Sequence, residues 1–415
     1  MDMLQITAVL ISLTAVFSFL NYVFLKLPST IGVMAISMAL SLMLLLLGGL
    51  GFPLLLEQEQ SLLAGIDFST TLLHGMLSFL LFAGALHVDI NRLSEMKWIV
   101  ASLATIGVLI STLLVAVLLW GVSLLLDLPL TFIHCLLFGA LISPTDPVAV
   151  ISTLKTLGVP ASLETKIAGE SLFNDGVGVV LFLVIFNIAY ASEPMQAVDV
   201  AELFVTETLG GALFGLLIGY IAYRMLRQVD NYQVEIIISL ALVMGGYAFA
   251  EAWHLSAPIA IVVAGLLIGN HGRQFAMSDK TREHLDTFWE LVDEILNAVL
   301  FVLLGLEILL IIPISTNTFL LSLLAIPVVL LARFVSVSIP VSVLRSRYQF
   351  SPGVIKILTW GGLRGGISVA LALTLPADEV RLYLLPMTYA VVVFAMLVQG
   401  LTLGRVVKKQ IATIS

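Results

Sequence analysis

Two carboxylates lie in the middle of a long apolar segment. Glu170 and Asp175 belong to the run ESLFNDG, residues 170–176, inside an apolar stretch from about residue 163 to 190. A charged side chain near a bilayer centre costs about 2.5–3.5 kcal/mol even on the mildest scale. Membrane proteins accept that cost mainly where ions or protons bind. The pair therefore predicts a binding site for a small cation or a proton within a transport protein.

The spacing of the polar residues predicts how such a site is shared between helix faces. Ser171 and Asp175 are four residues apart and share one face, while Glu170 and Asn174 share the adjacent face. A second polar run, SPTDP at residues 143–147, contains two prolines and therefore predicts a break in a helix. Hard cations prefer oxygen ligands. The predicted metal ligands are the oxygen-bearing residues Asp175, Asp146, Thr145 and Ser171.

Glu170 needs a cationic partner if it lies in the membrane. Arg364, in the run GGLRGG at residues 361–366, is the favoured candidate, and Arg333 is the alternative. With Asp146, Glu170 and Asp175 against two arginines, the empty and ionised site carries a net charge of −1. One Na⁺ or one proton would neutralise it, so the two would compete. The alternative is that these charges form an ion-pair network that only holds helices together.

The elements that position these residues are predicted to be membrane helices. The chain has 415 residues, of which 60% are hydrophobic and only 11% charged, against about 25% charged in a soluble domain. The fold class is therefore an all-α polytopic membrane protein. Spans of about 20 apolar residues give thirteen candidates, near residues 4–25, 31–50, 68–87, 98–126, 130–153, 163–190, 207–226, 234–252, 256–270, 288–311, 318–344, 352–375 and 382–404.

The basic residues indicate an orientation. With the N-terminus outside, nearly all of the 19 Lys and Arg residues fall in cytoplasmic loops or ends, the exceptions being Arg381, Arg333 and Arg364. This asymmetry is what the positive-inside rule predicts. The C-terminus is then cytoplasmic, and residues 1–415 are expected to be a single transmembrane domain with no soluble C-terminal domain.

The order of spans also predicts an internal repeat. Six spans (1–190), a linker helix (207–226) and six more spans (234–404) would place the halves in opposite orientation. Many secondary transporters are built this way, with broken helices at matching positions. The SPTDP run in span 5 and the GGLRGG run in span 12 are such a pair, since proline and glycine both weaken a helix.

Three motifs together resemble the monovalent cation:proton antiporter-1 family, the NhaP-like sodium/proton antiporters related to animal sodium/hydrogen exchangers. They are SPTDPVA (143–149), ESLFNDG (170–176) and WGGLRG (360–365). The resemblance implies a mobile core that moves against a dimerisation domain, and a homodimer in a prokaryotic inner membrane. It also implies that Asp175 binds the ion and the proton, that Asp146, Thr145 and Ser171 help to coordinate the ion, and that Glu170 steadies Asn174.

The resemblance implies electroneutral one-for-one exchange of Na⁺ (or Li⁺) for H⁺ by a secondary antiporter, which is not an enzyme. Exchange of K⁺ for H⁺ on the same scaffold stays open, as does a cation channel or ion sensor. No phosphate loop, nucleotide motif or nucleophile–histidine arrangement is present, so no cofactor and no nucleic-acid partner are expected. Membrane lipid and the transported ions are the expected partners.

Two acidic features have no assigned role. An acidic face recurs at helical spacing in residues 283–297, and it predicts either a solvated helix end or the wall of a cation funnel. Glu307 lies within a predicted span, where a hydrogen-bonded structural acid is favoured over a second ion site.

Overall fold

The computed structural model describes residues 3–50, 75–157, 159, 161–190, 197–307, 315–348, 350 and 353–411, and most of these residues are helical. The helices are α1 Met3–Leu20, α2 Ser29–Gly49, α3 Leu77–Leu86, α4 Ile90–Glu95, α5 Lys97–Leu125, α6 Phe132–Ile142, α7 Val148–Leu157, α8 Ala161–Tyr190, α9 Ala197–Leu226, α10 Tyr232–Ala252, α11 Ala257–Leu267, α12 Asp279–Leu306, α13 Thr316–Leu344, α14 Val354–Trp360, α15 Gly366–Leu373, α16 Arg381–Phe394 and α17 Leu401–Ile411.

Helix is present in the described part of each of the thirteen predicted segments; residues 68–74, 308–311 and 352 of these segments lie outside the described residues. Among the described helices, eight are long and apolar enough to cross a membrane by themselves. Most bounds agree within a few residues. The largest differences are at helix starts, where α12 begins at Asp279 and α9 at Ala197 rather than near 288 and 207.

Side-chain caps explain why three long helices begin where they do. Asn231 accepts the backbone N–H of Gln233 at 3.0 Å at the start of α10. Ser278 and Ser315 accept the N–H groups of Thr281 and Thr318 in the same way at the starts of α12 and α13. Each cap satisfies one of the free N–H groups that a helix N-terminus leaves unpaired. At α12 the cap, Ser278, lies ten residues before residue 288, where the apolar run is predicted to begin, so the acidic residues between them belong to the helix.

Both predicted helix breaks are present. The first separates α6 from α7 at residues 143–147, and the second separates α14 from α15 at residues 361–365. The two breaks meet directly, because the backbone N–H of Asp146 donates to the carbonyl of Leu363 at 2.8 Å. Freed backbone groups at membrane depth are tolerated where they are buried in protein or line a wet cavity, and here each break supplies a partner for the other.

Two large hydrophobic clusters make up most of the interior. The first is built on α5, α6, α8 and α13 to α16, and the second on α3, α9, α10, α11 and the first half of α12. Helix α8 contributes to both clusters, and Ile367 of α15 packs against both. A cavity lies along their boundary, with Leu77 and Leu81 of the second cluster on one side and the two breaks on the other.

Candidate functional site

Arg364 binds the first helix break rather than a carboxylate. Its guanidinium Nη1 donates to the carbonyl of Ser143 and, at 2.8 Å, to that of Pro144. These carbonyls lie just past the C-terminus of α6, where a helix leaves unpaired acceptors and a partial negative charge. A buried guanidinium is a natural donor for them, so the favoured pairing of Arg364 with Glu170 is wrong.

Glu170 pairs with Arg333 instead. The distance from Arg333 Nη1 to Glu170 Oε1 is 2.5 Å, and the two residues are only 6% and 1% exposed. Arg333 Nε and Nη2 also donate to the carbonyl of Leu358, at 3.3 and 3.2 Å. The pair therefore ties α8 to α13 and, through Leu358, to α14.

Thr145, Ser171 and Asn174 form one buried hydrogen-bond network between the first break and α8. The Asn174 amide donates to Thr145 Oγ1 at 2.9 Å, and its carbonyl oxygen accepts the Thr145 N–H at 3.3 Å. The hydroxyls of Thr145 and Ser171 are 3.0 Å apart. Asn174 thus holds the break itself, whereas the resemblance implied that it is steadied by Glu170.

Asp175 lies beside this network at the buried end of the cavity. It is 7% exposed and lines the cavity. It lies within electrostatic range of both Asp146 and Arg364. The break can come this close to α8 because residue 178 is glycine: a Cβ there would overlap the ring of Pro144.

Asp146 is fixed in place by the start of α7. One carboxylate oxygen accepts the Val148 N–H at 2.9 Å, which caps that helix. The carboxylate also packs against Gly365, where a Cβ would overlap it. Thr145, Asp146 and Asp175 line the cavity, and Ser171 lies 3.0 Å from Thr145 through their hydroxyls. The Glu170–Arg333 pair lies next to the second break, because Arg333 binds Leu358 of α14, the helix that ends there.

The cavity has a volume of about 680 Å³ and runs from the protein surface to Asp175. Its lining includes the exposed residues Asp89, Arg92 and Lys155. Only part of the acidic face of α12 lines this cavity. Glu290, Asp293, Glu294 and Asn297 line it, whereas Asp286 pairs with Arg273 and Glu283 is exposed outside the lining.

Sequence reasoning missed Ser368 as a cavity residue. It lies in the first turn of α15, is 1% exposed and lines the cavity. The available signal was its position two residues after Gly366, the last glycine of the GGLRGG run, which places it in the half-helix that starts at the site.

Glu307 is a hydrogen-bonded acid, as the sequence favoured. The hydroxyl of Tyr389 donates to Glu307 Oε2 at 2.7 Å, and both residues are buried. This bond links the end of α12 to α16.

Replacing Tyr389 by phenylalanine should therefore destabilise the protein. We expect Tyr389→Phe to lower the free energy of unfolding by about 1–3 kcal/mol, the cost of leaving a buried polar group unpaired. Equilibrium unfolding in detergent measures it. Tyr383→Phe on the same helix is the matched control, since its hydroxyl has no hydrogen bond within the described residues. Equal stability of the two variants would contradict a role for the Glu307 bond.

Crossed helix breaks with a buried carboxylate at the end of a cavity define an ion-transporting membrane protein. Comparison with known proteins gives the family. Residues 9–409 match the model of the transmembrane sodium/hydrogen exchanger family. The chain is 49% identical to the Na(+)/H(+) antiporter NhaP of Pseudomonas aeruginosa, over 98% of this chain and 97% of that protein. It is 37% identical to the Na(+)/H(+) antiporter NhaH of Halobacillus aidingensis, over 90% and 91%.

The fold also matches a solved structure. The sodium proton antiporter MjNhaP1 of Methanocaldococcus jannaschii superposes with a TM-score of 0.77 at 19% identity, over 99% of both chains. The chain belongs to the sodium/hydrogen exchanger family, whose members are secondary transporters rather than enzymes. It is a multi-pass protein of the inner membrane.

Proposed function

We propose that this protein is a secondary active antiporter that exports Na⁺, or Li⁺, in exchange for protons, one for one and without net charge movement. The observation that carries the proposal is the buried Asp175 carboxylate at the inner end of the cavity, beside the crossed breaks. The names of the relatives at 49% and 37% identity support Na⁺ and H⁺ as substrates.

The charges at the site support competition between one cation and one proton. Glu170 is neutralised by Arg333. Asp146 and Asp175 then face the single positive charge of Arg364, which leaves a net charge of −1 when the site is empty and ionised. One Na⁺ or one proton neutralises it, and Asp175 would carry them in turn.

Alternating access would move the site between the two sides of the membrane. The cavity follows the boundary between the two hydrophobic clusters, so a movement of one cluster against the other would close it and open a path elsewhere. In our proposed topology of thirteen spans and an external N-terminus, Arg92 and Lys155 are cytoplasmic, and the cavity therefore opens to the cytoplasm. The inverted repeats 1–190 and 234–404, joined by the linker helix 207–226, would relate the two access states.

The oxygen set suits this substrate class. Thr145, Ser171, Asp146 and Asp175 would coordinate the cation, as hard cations prefer oxygen. Arg364 and Asn174 would hold the break in the shape that presents these ligands. We further propose a homodimer, which rests on the family resemblance, and transport without any cofactor beyond the carried ions.

Proteoliposomes with a trapped pH dye test the proposal. A pH gradient is imposed, and Na⁺, Li⁺ or K⁺ is then added. The Na⁺ and Li⁺ runs are repeated with the membrane potential clamped by valinomycin and K⁺. We expect Na⁺ and Li⁺ to dissipate the gradient equally with and without the clamp. Dissipation by K⁺ instead would assign the protein to K⁺/H⁺ exchange, and cation flux without proton counterflow would indicate a channel.

A further inference from the structure

The part of the cavity wall formed by α12 and α15 carries polar atoms that the site described above does not use. Asn297 on α12 is 3% exposed and lines the cavity. Its amide nitrogen donates to the carbonyl of Asp293 at 2.9 Å and to Asp293 Oδ1 at 3.1 Å. Both bonds use the amide nitrogen, and no described residue donates a hydrogen bond to Asn297 Oδ1. This acceptor is therefore free at the cavity wall, where an ion or a water molecule can reach it.

Ser368 presents a second unpaired oxygen from another helix. It is 1% exposed, lines the same cavity, and its hydroxyl has no hydrogen bond to any described residue. The oxygen lies at the cavity wall, so a ligand that enters the cavity can bind it. Ser368 lies in the first turn of α15, and Gly365, immediately before this helix, packs against Asp146.

Asp146 connects this wall to Asp175. It lies within electrostatic range of Asp293 on one side and of Asp175 on the other. The three carboxylates therefore form a series that leads from α12, through the first break, to α8. A cation attracted to Asp293 would have a continuous path of negative charge towards Asp175.

We propose that Asp146, Asp293, Asn297 Oδ1 and Ser368 Oγ form a second binding site for a monovalent cation, the vestibule site, which the ion occupies before it reaches Asp175. The inference rests on the proposed exchange function and adds a place of first binding to it. Because Asp146 belongs to both sites, a single cation would occupy them in succession. Oxygen atoms only are present, as an alkali cation requires.

Substitutions that leave the charge unchanged can distinguish direct coordination of the cation from a general electrostatic attraction of cations to the cavity. We expect Asn297→Ala and Ser368→Ala each to raise the apparent KM for Na⁺ in proteoliposomes about tenfold, which corresponds to about 1.4 kcal/mol, with the maximal rate within about twofold. Neither substitution changes the charge of the cavity, so a weaker electrostatic attraction of Na⁺ cannot explain the higher KM. Ser152→Ala is the matched control: it lines the same cavity, but its hydroxyl already donates to the Ala149 carbonyl at 3.1 Å.

Binding can be measured apart from transport. In Asp175→Asn, Na⁺ added at constant ionic strength against choline should still raise the melting temperature, because a ligand that binds the folded state stabilises it. Adding Asn297→Ala to that variant should abolish the shift. Retention of the wild-type KM in Asn297→Ala and Ser368→Ala, or loss of the Na⁺ shift in Asp175→Asn alone, would overturn the vestibule site. Absence of exchange by the wild-type protein would instead refute the proposed function.

Discussion

Asp175→Asn is expected to abolish cation-driven dissipation of a pH gradient, with a loss of at least about 100-fold. A loss of that size corresponds to about 2.7 kcal/mol. The asparagine amide has nearly the same volume as the carboxylate but can neither release a proton nor balance the charge of a cation. Because Asp175 is 7% exposed at the end of the cavity, water cannot substitute for its charge. Proteoliposome exchange with Na⁺ or Li⁺ measures the effect.

Two further variants make this result specific. Asp175→Glu keeps a titratable group but displaces it by one methylene, so we expect partial exchange with an altered KM. Glu283→Gln changes charge by the same amount on an exposed part of α12 that does not line the cavity, and it should exchange at the wild-type rate. Full exchange by Asp175→Asn, with a normal elution profile on gel filtration, would refute the assignment of Asp175 as the carrier of ion and proton.

The helix breaks could be predicted from sequence because their chemistry is local. Pro144 and Pro147 lack the N–H groups that a continuing helix needs, and the glycines near Arg364 weaken the second helix. Pro327 and Pro340, however, lie inside α13 without ending it. A single proline therefore does not by itself predict a break. At residues 143–147 two prolines flank Asp146, whose carboxylate caps the helix that follows.

The partner of Glu170 could not be predicted in the same way. Arg333 is 163 residues away along the chain, and which arginine meets Glu170 depends on how α13 is rotated against α8. Sequence patterns give the face of a helix but not that rotation. The sequence favoured Arg364 as the partner of Glu170 because Arg364 lies in the second predicted break. In the structure it donates instead to the free carbonyls after α6.

The acidic face of α12 shows a similar limit. Its spacing correctly predicts a single helical face, because the period of a helix follows from the backbone alone. Whether that face meets bulk water or a cavity depends on the helices opposite. In the structure, residues of this face have different surroundings: Asp293 lines the cavity, whereas Asp286 forms an ion pair with Arg273.

The second large effect is expected from the Glu170–Arg333 pair. Glu170→Ala would leave the guanidinium of Arg333, which is 6% exposed, without its carboxylate. Breaking a buried ion pair by removing one partner typically costs about 3–5 kcal/mol, because an uncompensated charge stays buried. We expect a loss of that size in the free energy of unfolding, measured by equilibrium unfolding in mixed detergent micelles. Asp279→Asn, which breaks a surface pair whose aspartate is 99% exposed, should change it little.

The double variant Glu170→Gln/Arg333→Gln decides what the pair is for. With both charges removed, no uncompensated charge remains buried, so the free energy of unfolding should be higher than in Glu170→Ala. The recovery should be incomplete, because the hydrogen bonds from Arg333 to the Leu358 carbonyl are also lost. If the pair only positions α8 against α13, exchange should recover with stability. If stability returns while exchange stays at the level of Asp175→Asn, the Glu170 carboxylate itself takes part in ion or proton binding. Glu170 would then be a third carboxylate able to bind a proton or a cation, and one-for-one exchange would no longer follow from a net charge of −1 alone.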